Sequence, residues 1–261
     1  MIGLSAALWT EALKARRSRL LWLTALGFSL APLMGGLFMI VLRDPEWARS
    51  TGLLTAKAQL TVGTADWPTY WGVLAQATAL GGMFLFGLVA TWVFGREYSD
   101  HTAKDLLALP TAREAIVVAK FVVVACWSAL LTAMVWGLGW GVGSAIGLSG
   151  SSPDLTLYAA GQIAVVAGLT ILLLPPFALV ASAGRGYLPS IGSIFLAVFL
   201  AQILAALGWG PYFPWAVPSL LSGAAGPSAA ELGAESYLVV ALAGLAGVAG
   251  TLAWWRFADQ T

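Results

Sequence analysis

The sequence predicts an all-α integral membrane protein with six transmembrane helices, and three observations lead to that fold class. Hydrophobic residues make up 59% of the 261 residues and charged residues only 10%. Soluble domains carry about 25% charged residues, and the mean hydropathy here is +0.85. Six segments reach the roughly 20 apolar residues that a bilayer-spanning helix needs. None of the six contains Asp, Glu, Lys or Arg.

The predicted elements follow in chain order within one transmembrane domain, residues 1–261. Residues 4–19 are expected to form an amphipathic helix at the membrane interface, with Trp9 on its apolar side and Glu11 on its polar side. The six spans are then predicted over residues 20–42, 70–95, 121–148, 155–184, 187–208 and 236–255.

Proline and glycine interrupt this pattern at two places. The fourth span contains Pro175-Pro176, and a kink or break is predicted there because proline removes backbone donors. Residues 209–235 are too apolar for an ordinary loop and too rich in Pro and Gly for a span. They are expected to form broken re-entrant helices in the outer leaflet, shielded by protein.

The distribution of Lys and Arg predicts the orientation in the membrane. Ten of the 13 basic residues fall on the side that holds the N-terminus, and three fall on the other side, in the loop 43–69. Cytoplasmic loops carry the excess of basic residues. Both termini are therefore expected in the cytoplasm.

The residues that chemistry would need are scarce, which excludes several classes of function. A net charge of +1 gives no basic surface for nucleic acid. No Gly precedes a Lys, so a Walker A loop is missing and the chain cannot hydrolyse ATP by itself. His101 is the single histidine, which excludes multi-histidine metal sites, and the single Cys126 is predicted to be a small core residue. We therefore expect no intrinsic enzyme, and charge-free spans argue against an ion-coupled carrier.

The most informative segment is the charged loop 96–120, REYSDHTAKDLLALPTAREAIVVAK, which lies between two apolar runs. A short helix is predicted over residues 99–110, starting at Ser99 and ending at Pro110. The spacing from Thr111 to Glu114 is typical of a capping box at the start of the next helix. The loop could rest on the headgroups, or Leu106 and Leu107 could insert into a groove on a partner.

The pattern from Glu97 to Arg113, EYSDHTAKDLLALPTAR, followed by Lys120, resembles type-2 ABC transporter permeases. It is most similar to the bacitracin-resistance and lantibiotic-immunity branch, although members usually carry Gly in place of His101. The resemblance implies that the loop is the coupling helix that contacts a separate ATPase subunit. The coupling residues that it implies are Glu97, Tyr98, Thr102, Lys104, Leu106, Leu107, Pro110, Arg113 and Lys120.

The same resemblance implies the partners and the location. A second permease copy is expected, giving a homodimer in the bacterial plasma membrane, and ATP and Mg²⁺ would bind in the partner ATPase with no cofactor bound directly to this chain. It also implies a translocation cleft bordered by the first, second and fifth spans. Possible cleft residues are Gln76, Met83, Phe84 and Gln202, although glutamines within spans also simply hydrogen-bond to neighbouring helices.

The third span carries glycines at GxxxG spacing, at positions 137/141, 139/143 and 143/147. Small residues let helices approach closely, and this approach can occur within one subunit or between two. The pattern favours packing within the subunit over dimerisation.

The predicted function is therefore the permease subunit of an ATP-driven exporter that moves an amphipathic or hydrophobic molecule, such as an antibiotic, a peptide or a lipid. Two alternatives stay open. The same class of permease could serve periplasmic metal-enzyme maturation or lipid export. The chain could also be a passive channel, or a membrane anchor or signalling subunit that transports nothing.

Overall fold

A computed structural model of the chain describes residues 2–50, 63–100, 102, 111–224 and 232–257. Six helices are long and apolar enough to cross a membrane, and within the described ranges the chain forms no β-strand. The predicted fold class is therefore confirmed. The spans, numbered here from first to sixth, are Arg19–Arg43, Trp67–Ser99, Arg113–Ile146, Pro153–Ala183, Tyr187–Ala206 and Ala234–Phe257.

The N-terminal helix, Ile2–Arg17, precedes the first span and packs against the third span. Ser18 separates the two helices, and its hydroxyl accepts a hydrogen bond from the Leu20 amide at 3.1 Å, which caps the first span. Glu11 is buried on the packed side of the N-terminal helix, whereas Trp9 is exposed. Trp9 and Glu11 thus lie on opposite sides of this helix, and the side with Glu11 packs against the protein together with Ala7 and Ala15.

The second span is the centre of the bundle. It packs against the first, third, fourth and fifth spans. Leu74, Phe86 and Phe94 on this helix are fully buried, so its side chains fill much of the core. By contrast, Cys126 on the third span is exposed. The prediction that Cys126 is a core residue is wrong, because the third span turns this side away from the bundle.

The second and third spans extend beyond their predicted ends into the charged loop. Ser99 is the last residue of the second span, so a new helix does not start there. Ala112, with no side-chain hydrogen bond, is the N-cap of the third span. The predicted capping box is therefore wrong, since Thr111 lies one position before the cap. The remainder of the predicted coupling helix, including Lys104, Leu106, Leu107 and Pro110, lies outside the described residues.

The fourth span breaks where the proline pair predicts. Its two halves are Pro153–Leu172 and Pro175–Ala183. The sixth span packs against the second half, and a Cβ atom placed on Gly247 would lie 2.6 Å from the carbonyl carbon of Pro175. A side chain at this position would separate the two helices. Glycine therefore permits the sixth span to lie against the break.

The end of the bundle remote from both termini is closed by aromatic rings and short helical turns. Gly210–Tyr212 and Pro214–Ala216 form 3₁₀ turns, followed by a short helix, Val217–Leu221. Beside them, the rings of Trp67 and Trp71 stack with centroids 5.3 Å apart. We call this the aromatic end, and we call the opposite end, which holds both termini, the charged end.

Candidate functional site

Four charged side chains meet at the charged end and form the ion cluster, defined as Glu11, Lys14, Glu97 and Lys120. Lys14 contacts Glu11 at 2.8 Å and Glu97 at 2.9 Å. Lys120 contacts Glu11 at 3.1 Å and Glu97 at 3.0 Å. Two ammonium groups therefore balance two carboxylates, and the cluster joins the N-terminal helix to the second and third spans.

Lys120 is the most enclosed member of the ion cluster, with an exposed fraction of 0%. It lies seven residues into the third span, about 10 Å from the start of the helix. An ammonium group has three donors, and here they reach Glu11, Glu97 and, at 2.8 Å, the Val93 carbonyl. Every donor is thus used, which makes the burial of this charge tolerable.

Lys14 lies at the rim of the cluster and is 24% exposed at its side chain. Burial lowers its pKa, but the carboxylates of Glu11 and Glu97 favour the charged form more strongly. The pKa of Lys14 is consequently raised above its ordinary 10.5. The cluster therefore keeps this cation charged at neutral pH.

Glu97 connects the ion cluster to Thr102, which lies three residues beyond the end of the second span. The Thr102 hydroxyl donates to the Glu97 carboxylate at 2.8 Å, and the Thr102 amide donates to the Glu97 carbonyl at 2.9 Å. Glu97 is itself only 2% exposed. The N-terminal part of the charged loop is thus fixed to a buried, fully paired side chain.

Arg113 fixes the other end of the loop. Its guanidinium donates to the carbonyls of Trp255 at 3.3 Å and of Arg256 at 3.4 Å, in the last turn of the sixth span. Carbonyl groups at a helix C-terminus lack partners within the helix and attract cations. Both ends of the charged loop are therefore attached to span helices.

Trp255 links these anchors to one another and to the fourth span. Its indole N–H donates to the Ser182 hydroxyl at 3.0 Å, and its ring lies 6.1 Å from the Tyr98 ring. The Lys120 ammonium is 5.9 Å from the same Trp255 ring, within the range of a cation–π contact. The N-terminal helix and the second, third, fourth and sixth spans therefore meet around the ion cluster.

The structure divides the predicted coupling residues into two groups. Glu97 and Lys120 are buried in the ion cluster, and Tyr98, Thr102 and Arg113 surround it. The others, Lys104, Leu106, Leu107 and Pro110, lie outside the described residues. Sequence reasoning missed Glu11 and Lys14, because their spacing of three residues is equally typical of an exposed helix face.

The predicted cleft residues do not share one environment. Met83 is part of the buried core, and Gln202 is exposed on the fifth span. The Phe84 ring lies 5.1 Å from the Phe195 ring, so it joins the second and fifth spans. Gln76 is half-buried near Gly223. The translocation cleft stays a prediction.

Comparison with known proteins identifies relatives of the chain. The sequence profile of the ABC-2 family transporter proteins matches residues 7–203. The chain is also similar to the bacitracin transport permease protein BCRB of Bacillus licheniformis, with 26% identity over 180 residues. That alignment covers 68% of this chain and 85% of the relative. No solved structure matches the chain.

Proposed function

Because the chain belongs to the ABC-2 family of transporter proteins, we propose that it is the permease subunit of an ATP-driven exporter and works with a separate ATPase subunit. The family and the bacitracin permease relative identify the chain as the membrane subunit of an ABC transporter. The charged end would face the cytoplasm of a bacterial cell, where the ATPase and its ATP and Mg²⁺ are available.

The ion cluster is the observation that supports coupling to an ATPase. An ATPase docked on the charged loop would push on a segment attached to the second span through Glu97 and to the third and sixth spans through Arg113. Removing one partner of a buried ion pair costs about 3–5 kcal/mol, so the cluster resists separation. The spans would move together with the loop.

In this proposal the coupling residues have two different tasks. Glu97 and Lys120 are buried, so they would hold the loop in position and would not touch the ATPase. Leu106 and Leu107 would supply the apolar contact with a groove on the partner, as helix-in-groove recognition requires. Lys104 would fix the register of docking and increase its rate.

The proposed substrate is an amphipathic or hydrophobic molecule. Its support is the similarity to a permease whose name specifies bacitracin transport. The spans contribute few polar groups, and exposed large apolar side chains cover the first and fifth spans. A second copy of the chain is the proposed dimer partner, and part of this apolar surface would lie between the two copies while the rest contacts lipid.

Purification of the tagged chain from its native host tests the docking step. We expect an ATPase subunit with a Walker A motif to copurify, and Leu107→Asp should remove it. Leu53→Asp makes the same chemical change in the predicted outer loop 43–69 and should leave the ATPase bound. Failure of the unmodified chain to retain an ATPase would contradict the proposal.

A second variant separates positioning from docking. Thr102→Val removes the hydroxyl that donates to Glu97 and keeps the shape of the side chain. We expect the ATPase to stay bound while substrate-stimulated ATP hydrolysis by the reconstituted complex falls. Unchanged stimulation would show that the link from Thr102 to the ion cluster has no part in coupling.

A further inference from the structure

An apolar groove lies beside the ion cluster, on the membrane-facing side of the charged end. The N-terminal helix, the first span and the third span form its walls, and its volume is about 210 Å³. Leu21, Cys126 and Leu130 contribute to the apolar lining. Arg16 and Leu21, which lie on either side of the junction between the N-terminal helix and the first span, both line the groove.

Few polar groups surround this groove, and they differ in whether they already have a hydrogen-bond or ion-pair partner. The Trp127 indole N–H already donates to the Thr24 hydroxyl at 3.1 Å, so it needs no partner from an occupant. Arg16 is the charged residue of the lining. It is exposed, and no described residue of the chain forms an ion pair with it.

Two more arginines lie within three residues of Arg16 in the sequence. Arg17 and Arg19 are also exposed, and the described part of the chain provides no carboxylate for either. The carboxylate nearest to these arginines in the sequence, Glu11, is already paired with Lys14 and Lys120. Three exposed arginines that form no ion pair with a described carboxylate therefore lie within four residues of the chain, and one of them, Arg16, lines the apolar groove.

We propose that this groove binds an anionic phospholipid. Arg16 contacts the phosphate, Arg17 and Arg19 add attraction for the headgroup, and one acyl chain lies along Leu21, Cys126 and Leu130. Guanidinium groups recognise phosphate oxygens by paired, charge-assisted hydrogen bonds. An apolar wall below such groups matches an acyl chain below its headgroup.

The dimensions of the groove fit part of one lipid. The lining of the third span runs from Val123 to Leu130, which is about 10 Å along a helix. The volume is below the roughly 300–1,000 Å³ of pockets that enclose whole small molecules. The groove therefore holds one section of an acyl chain, and the rest of the lipid stays in the bilayer.

Native mass spectrometry of the purified full chain tests this site. The chain in detergent is mixed with equal amounts of phosphatidylglycerol and phosphatidylcholine that carry identical acyl chains. We expect preferential retention of phosphatidylglycerol. Arg16→Gln should weaken it about fivefold, the usual effect of one arginine at an anionic membrane surface. Cys126→Phe fills the groove without changing the charge and should weaken retention at least as much.

The matched control is Arg256→Gln, which removes an exposed arginine from the same end but outside the groove. It should leave lipid retention unchanged. Both test positions are exposed, and the melting temperature of each variant establishes that it folds. Equal retention of the two lipids by the unmodified chain would overturn the proposal, and so would an equal loss with Arg256→Gln.

Two further outcomes would also overturn it. Full lipid retention by Cys126→Phe would show that the acyl chain lies elsewhere. The same spectra report the number of protein copies, and a dimer that dissociates in Cys126→Phe would make a second copy of the chain the occupant of the groove.

Discussion

The two ends of the helix bundle are held together by different kinds of contact. Six ion pairs among the described residues lie at the charged end, where they join the N-terminal helix and the second, third and sixth spans. The aromatic end uses ring packing, with Trp71 stacked on both Trp67 and Trp136. It adds a hydrogen bond of 2.9 Å from the Tyr70 hydroxyl to the Pro32 carbonyl.

This difference has a mechanical consequence. A buried ion pair has directional contacts and leaves an uncompensated charge when it is separated. Ring stacking leaves no uncompensated charge when two rings separate, and each pair contributes only about 0.5–1.5 kcal/mol beyond burial. The charged end is thus suited to transmit a movement as one body. The aromatic end is suited to rearrangements in which helices slide.

The largest expected effect is at the centre of the ion cluster. Lys120→Met should destabilise the chain by about 3–5 kcal/mol, because it leaves the carboxylates of Glu11 and Glu97 buried without one of their cations. Thermal unfolding of the purified chain in detergent measures the loss. The double variant Lys120→Met, Glu97→Gln removes one charge of each sign and should recover part of the stability. If Lys120→Met and the unmodified chain have the same melting temperature, the ion pairs do not stabilise the charged end.

The next largest loss of stability is expected at the aromatic end, where it comes from the close fit between a glycine and a tryptophan ring. A Cβ atom on Gly143 would lie 2.6 Å from the Trp67 ring, which is itself packed against Trp71. Gly143→Ala should therefore cost about 1–3 kcal/mol through overpacking. Gly141 on the same helix has open space around it, so Gly141→Ala is the matched control and should not destabilise. Similar melting temperatures for both variants would contradict this account of the aromatic end.

The glycine pattern illustrates how far the sequence predicts the structure. The repeated spacing indicates close helix contacts on the third span but does not say which register makes them. In the structure Gly139 and Gly143 face the second span, whereas Gly137 and Gly141 have no neighbour there. Apolar length predicted all six spans, because membrane insertion depends on composition. Which glycines contact the neighbouring helix depends on shape complementarity, and the composition does not specify that.

The ion cluster was harder to predict for a related reason. Glu97 and Lys120 were expected to belong to the coupling loop, since they flank it in sequence. Their burial depends on Glu11 and Lys14, which lie more than 80 residues earlier than Glu97 in the chain. Charge pairing over that separation leaves no periodic signal in a single sequence.

A smaller effect is expected at the start of the second span. The Asp66 carboxylate accepts a hydrogen bond from the Thr69 amide at 2.9 Å and caps this helix at the aromatic end. Asp66→Ala should cost about 1 kcal/mol. Burial raises the pKa of Asp66, but hydrogen bonds from Thr64 and Thr69 lower it more, to below its ordinary 3.8. The cap therefore contributes fully above pH 3.8 and is lost as the pH falls through the lower folded pKa.

Thermal unfolding of the two chains at several pH values checks this prediction. The difference between the unmodified chain and Asp66→Ala should be constant near neutral pH and should vanish in strong acid. A difference that persists in strong acid would mean that the ionised carboxylate is not what caps the second span.

The smallest expected effect is that of Lys14→Gln. Its pH dependence lies in the alkaline range, whereas that of Asp66→Ala at the other end lies in the acid range. Lys14 is partly exposed, and a glutamine in its place can still donate to the carboxylates of Glu11 and Glu97, so Lys14→Gln should cost no more than about 1 kcal/mol. Its pKa is raised above 10.5, so its contribution is complete below that pH and disappears as the pH rises through the folded value. The melting difference between the two chains should thus be present at about pH 8 and absent in strong alkali. If Lys14→Gln loses as much stability in alkali as the unmodified chain does, the group that titrates is not Lys14. Lys120 alone would then be the cation that makes the charged end rigid.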